Sequence, residues 1–238
     1  MKVRAPLTLL AMAGAAVAGY LYRDRPAALM SLFDRKAPAA PGSLPPDIFP
    51  DSRNRLPLVT REELSELGQR LYDSAKADPR SIVGLMGPGG IRLRASRLTE
   101  LSRPVNRYLR YDAGLDRRLA ELAILASARE TDQHFEWHAH EDIGLKEGLE
   151  PAIIDVIRWR RPLTGLGEKE ATLISLAREA IGKHEVRPET FAAALRLFGK
   201  EDLILYLSLM GEYASTAYLL HAFNQQLPEG TVSTLPRI

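Results

Sequence analysis

Between Glu121 and Glu141 the chain gathers side chains able to move protons. Three of its five histidines, His134, His138 and His140, fall within seven residues. Glu136 and His140 stand four apart, so on a helix they share a face. A carboxylate beside an imidazole is a proton-transfer pair suited to near-neutral pH. Upstream, Glu121 interrupts the run Leu119–Ala128, which is otherwise apolar except for Ser127. Two readings of Glu121 follow from this pattern. Its helical neighbours Ile124 and Leu125 would desolvate the carboxyl, raise its pKa and let it carry a proton. At a helix edge it would instead pair with Arg117 or Arg118, one turn back.

His134 and His138 are also four apart, on an adjacent face. They would need Glu130 or Glu141 as a third ligand to hold a transition metal, and the order is not that of the HExxH zinc motif, because Phe135 follows His134. The pair therefore reads first as a hydrated polar face, with a metal-dependent activity of the histidine cluster left open as an alternative. Trp137 reads as a core or pocket-wall residue. His184 and His221 are isolated, the first near a helix end and the second on a long apolar helix.

The rest of the composition excludes more than it adds. The chain has no cysteine, which removes disulfides, thiolate metal sites and thiol nucleophiles together. Its 32 basic and 30 acidic residues leave a net charge of +2, with no basic block of the kind that grips nucleic acid. Gly84–Gly90 is glycine-rich, but no strand precedes it and no Lys-Ser/Thr closes it, so it is not a phosphate cradle. There is no G-x-S-x-G elbow.

The elements that must position Glu121, Glu136 and His140 are helices. Residues 1–22 begin with Lys2 and Arg4 and continue apolar to Tyr22, with Ala16-Val17-Ala18 resembling a cleavage site. They read as a signal peptide or membrane anchor, which places the domain outside the cytoplasm, periplasmic or tethered to the membrane. Residues 23–58 hold seven prolines and read as an extended linker without a core. From residue 59 to 228 the apolar spacing is helical. Thr60 and Glu63 form a capping box ahead of Leu64, Leu67 and Leu71. Leu115, Leu119, Leu122 and Ala126 make the next stripe. Phe135 to Glu147 closes at Gly148, and Pro151 opens a further helix. Glu168–Lys183, Pro188–Phe198 and Asp202–Gln226 follow, and residues 229–238 are a tail. No alternating β pattern appears, so the fold class is all-α. The last helix is too apolar for a surface helix, which predicts burial in a core or against another subunit.

Gly87-Pro88, Leu93-Arg94, Tyr108-Leu109-Arg110, Glu121-Leu-Ala-Ile-Leu, Ala128-Arg129, Phe135-Glu136-Trp137-x-x-His140, Gly148-Leu149 and Gly211-Glu212-Tyr213 occur in an order that resembles the carboxymuconolactone decarboxylase-like proteins, over about residues 82–228. The resemblance implies an all-α domain assembled as a homo-oligomer, a trimer or hexamer, with sites near subunit contacts. In the related alkylhydroperoxidase branch, two cysteines fall where this chain has Gln133 and Glu136, so thiol peroxidase chemistry is ruled out here. The decarboxylase branch implies no cofactor and a small carboxylated lactone as substrate. On that resemblance Glu121, Glu136 and His140 are the catalytic group, the alternative being a non-catalytic oligomeric binding or scaffold member that keeps the fold. Arg129, His134 and Trp137 are the substrate contacts, with Arg129 anchoring a carboxylate through its planar fork.

Overall fold

A computed structural model describes residues 44–78 and 84–238. The signal or anchor expected of residues 1–22 lies outside the described residues, as does most of the linker. Among the described residues there are eight α-helices and no strand: α1 (Glu66–Ala77), α2 (Pro88–Leu93), α3 (Ser96–Arg107), α4 (Arg117–Glu130), α5 (His134–Lys146), α6 (Pro151–Arg158), α7 (Glu168–Ala177) and α8 (Pro188–Ala222). Two π-helical segments, Tyr108–Asp112 and Arg178–Lys183, continue α3 and α7. The all-α expectation is met.

Helix α4 is the axis of the fold. Every residue from Leu119 to Arg129 is buried, because α5, α6, α7 and α8 all pack around it. An apolar run interrupted by one acid is what a fully enclosed helix looks like in sequence. Asp116 caps α4 by accepting from Leu119 N–H at 3.0 Å. The chain turns at Asp132, and Gln133 caps α5 by accepting from Phe135 N–H at 2.9 Å. Gly144 lets α5 settle close against α4, since a Cβ there would lie 3.4 Å from Leu125 and 3.8 Å from the Cβ of Glu121.

Helix α8 breaks direction at Gly199 (φ 70°, ψ −175°), where the spacing predicted one helix to stop and another to begin. The helix Pro188–Ala222 is long and apolar enough, by length and composition, to cross a membrane. In this fold Leu203, Tyr206, Leu209, Met210 and Tyr213 are buried in the core with α4 and α7. The other side of α8 keeps Ile204 and Tyr218 exposed.

Three boundaries differ from expectation. Thr60 N–H does bond the Glu63 carboxylate at 3.2 Å, but the helix begins only at Glu66, because Ser65 takes the cap by accepting from Gly68 N–H. The linker ends before residue 58. Ile48, Ser52 and Asn54 are buried, and the segment docks on the end of α8 through Asn54 to Gln225 (3.0 Å), Arg55 N–H to Phe223 O (3.0 Å) and Gln226 N–H to Arg53 O (2.8 Å). The C-terminal tail is part of the core: Leu235 is 3% exposed and Thr234 accepts from Trp137 Nε1–H at 2.8 Å.

Candidate functional site

Helices α4 and α5 bring Glu121 and His140 together. His140 Nδ1 lies 2.7 Å from Glu121 Oε2, and both side chains are sealed from solvent, with Glu121 at 0% exposure. Burial alone would push Glu121 up. The His140 imidazole, by charge and hydrogen bond, and the guanidinium groups of Arg110 (3.7 Å) and Arg117 (3.5 Å) outweigh it, so the carboxyl sits below its ordinary value of 4.5. Of the two readings of Glu121, the structure combines burial with pairing and corrects the raised pKa. Arg118, the other expected partner, bonds Glu150 and Glu170 instead.

An ionised Glu121 accepts but cannot donate, so Nδ1 of His140 carries the proton it shares with Glu121. Nε2 is thereby turned toward Glu136. The gap to Glu136 Oε2 is 3.7 Å, too long for a hydrogen bond. Glu136 is 5% exposed, and its carboxyl is pushed up by burial, against the opposing pull of His140, Arg92 and Arg110. The two carboxylates thus sit on opposite sides of one imidazole with pKa values driven apart, the usual arrangement for separating an orienting acid from a proton-carrying one.

His140 and Glu136 line a cleft of about 850 Å³. Arg92, Arg103, Arg107 and Arg110 line it too, with Tyr213 and Thr216 of α8. The π-helical segment after α3 supplies Arg110: Pro104 lacks an N–H inside α3, and the widened turn that follows buries Leu109 and brings Arg110 alongside Glu121. Arg110 Nε is buried and has no hydrogen-bond partner. Tyr213 packs edge-on against the His140 ring, with centroids 4.9 Å apart at 90°. Gly87 (φ 74°) packs against Phe135, which lines the cleft; a Cβ there would lie 2.5 Å from the Phe135 ring. A second depression of about 760 Å³ near Val59 is remote from this chemistry, and its Arg61 and Asp73 are engaged with each other.

The structure does not bring Arg129, His134 or Trp137 to the cleft. Arg129 is 1% exposed, donates to Pro236 O at 2.8 Å and pairs with Asp132, so its fork clamps the C-terminal tail. Trp137 is wholly buried, held by Thr234 and Glu141. His134 lies near Arg129, Asp132, His221 and Arg237, where burial and the adjacent cations lower its pKa. His221 is exposed and bonds Thr131 O at 2.8 Å. Among the described residues no three His, Asp or Glu side chains stand together as metal ligands. Arg92, Arg110 and Tyr213 were not singled out as site residues from sequence. The only signal for them was their place in the resemblance or near it.

Residues 98–179 match the carboxymuconolactone decarboxylase family. The matched stretch runs from α3 to the start of the second π-helical segment and includes Arg110, Glu121, Glu136 and His140, while Arg92 and Tyr213 lie outside it. No curated protein matches the chain.

The Glu121 pair has a pH signature. A carboxyl whose folded pKa is below 4.5 contributes stability that is fully present above 4.5 and lost as pH falls through the lowered value. Glu121→Gln is therefore expected to be less stable than the parent at pH 6.5. The difference should shrink as pH falls below 4.5 and through the lowered value, as read from urea midpoints at each pH.

Proposed function

We propose that the protein is an acid–base enzyme, working without a thiol or cofactor, on a small carboxylated or lactone substrate held in the arginine-lined cleft. The observation that carries this reading is the 2.7 Å contact of His140 Nδ1 with Glu121, which leaves Nε2 facing Glu136 and the cleft. In this mechanism Glu121 orients His140 and balances the charge it acquires. His140 Nε2 takes or delivers the proton at a carbon next to the carbonyl, and Glu136 carries that proton onward. Arginines of the cleft bind the substrate carboxylate, the part first expected of Arg129. The alternative is a non-catalytic binding or scaffold member; the cleft beside His140 and Glu136 supports the catalytic reading, while Glu121 lies behind it, paired with Arg110 and Arg117.

The oligomer implied by the resemblance belongs to the same proposal. Leu98, Leu101, Val105 and Tyr108 form an exposed stripe along α3, at 61%, 57%, 49% and 47% exposure, on the side away from the cleft. That is an inverted amphipathic helix, suited to a second copy of the chain. Export through residues 1–22 would set this assembly outside the cytoplasm.

The test uses purified protein with carboxylated butenolides and short dicarboxylates. A ligand that binds the folded state raises the melting temperature, by an amount that grows with its concentration over Kd. In D2O, proton NMR is expected to show deuterium entering the bound butenolide at the carbon beside its carbonyl. A panel in which nothing binds and nothing exchanges contradicts the proposal.

A further inference from the structure

The acid–base reading leaves one demand unmet. When a C–H bond beside a carbonyl breaks, the proton goes to His140 and the electron pair moves onto the carbonyl oxygen. That oxygen needs donors fixed in advance, and neither Glu121 nor Glu136 can serve as one in ionised form. We propose that the hydroxyl of Tyr213 and the guanidinium of Arg110 together receive this oxygen, one as a neutral donor and the other as a cationic one. The inference rests on the acid–base reading and adds to it the groups that stabilise the charge.

Four observations converge. Tyr213 and Arg110 both line the cleft that holds His140 and Glu136. The Tyr213 ring stands perpendicular to the imidazole at 4.9 Å, so its position is tied to that of the base. Arg110 Nε is buried without a partner, an unused donor in a place where an unpaired polar group is costly. The two residues reach the cleft from elements about a hundred positions apart, α8 and the π-helical turn after α3. Burial also holds the phenol well above its ordinary value, against the opposing effect of Arg110, with Glu136 and Glu121 pushing the same way as burial. Tyr213 is thus a neutral O–H throughout the working range. It can donate a hydrogen bond and keep its proton while His140 moves the substrate's. When the same proton, or one from solvent, returns to carbon, the charge leaves the oxygen and nothing else is consumed.

The probe is 3-nitropropionate. Its ionised form pairs a carboxylate with a planar nitronate whose charge lies on oxygen, as in an enolate. Binding is measured by calorimetry and by the ultraviolet absorbance of the bound nitronate, for the parent, Tyr213→Phe and Arg110→Lys, with succinate as the comparison anion. Tyr213→Phe keeps the ring against His140 and is expected to melt near the parent. It should lose about 10–100-fold in nitronate affinity, the range of one hydrogen bond to a charged group, with little change for succinate. Arg110→Lys is expected to weaken both anions. A Tyr213→Phe protein that binds nitronate as the parent does overturns the assignment of Tyr213 alone and leaves the acid–base reading standing. A parent that binds no nitronate overturns both.

Discussion

A His140→Ala protein is expected to lose about 10²–10⁴-fold in the deuterium exchange described above, the usual worth of a positioned acid–base group, while remaining folded. The imidazole lies between the two carboxylates: Nδ1 is at 2.7 Å from Glu121 and Nε2 at 3.7 Å from Glu136. Removing it breaks the proton path in the middle. Stability should fall less severely, by about 1–3 kcal/mol, because Glu121 loses one hydrogen bond but keeps Arg110 and Arg117. His140→Gln separates the two effects. The Gln amide can donate to Glu121 and recover part of the stability, but it cannot accept and release a proton near neutral pH. Exchange that survives in either variant at the parent rate removes His140 from the mechanism.

The helical pair at the heart of the site was legible because its information is local. An acid inside an apolar run and a Glu–His pair at four-residue spacing each mark one helix face, and the turn between the helices is only three residues long. What was not legible depends on contacts that span the chain. Tyr213 meets His140 across 73 positions, and nothing in the periodicity of α8 distinguishes an aromatic ring facing a cleft from one facing the core. Arg129 shows the converse. Its fork suited a substrate carboxylate by chemistry, yet the groups that take it up include Pro236 O, 107 positions away in what read as a tail. The linker was read as lacking a core because prolines dominate it, and residues 229–238 were read only as a tail. Composition cannot reveal that Asn54 finds Gln225, or that Leu235 finds a vacancy among the helices. Glu121 lay between these cases: burial and pairing were each visible, but which one sets the pKa depends on Arg110, which only the π-helical turn brings close.

Glu136→Gln is expected to separate activity from stability, with opposite signs. Burial pushes the Glu136 carboxyl above its ordinary 4.5 even though His140, Arg92 and Arg110 pull the other way. A carboxyl with a raised folded pKa costs nothing below 4.5. The cost appears as pH climbs from 4.5 to the raised value and is fully present above it. Gln has nearly the same shape and no charge to bury. As pH rises above 4.5 the variant should therefore come to melt higher than the parent, by about 2–4 °C for each kcal/mol or so recovered in a domain of this size. At pH 4, where the parent's carboxyl is already protonated, the two should coincide. Over the same comparison deuterium exchange should fall about 10²–10⁴-fold, since Gln cannot carry the proton that His140 hands over. A purely structural Glu136 would behave differently, its loss lowering the melting temperature at pH 8 by stripping the imidazole of a charged partner. Function maintained at a cost in stability is the mark of a group held for chemistry, and the pH at which the gain appears identifies the carboxyl responsible.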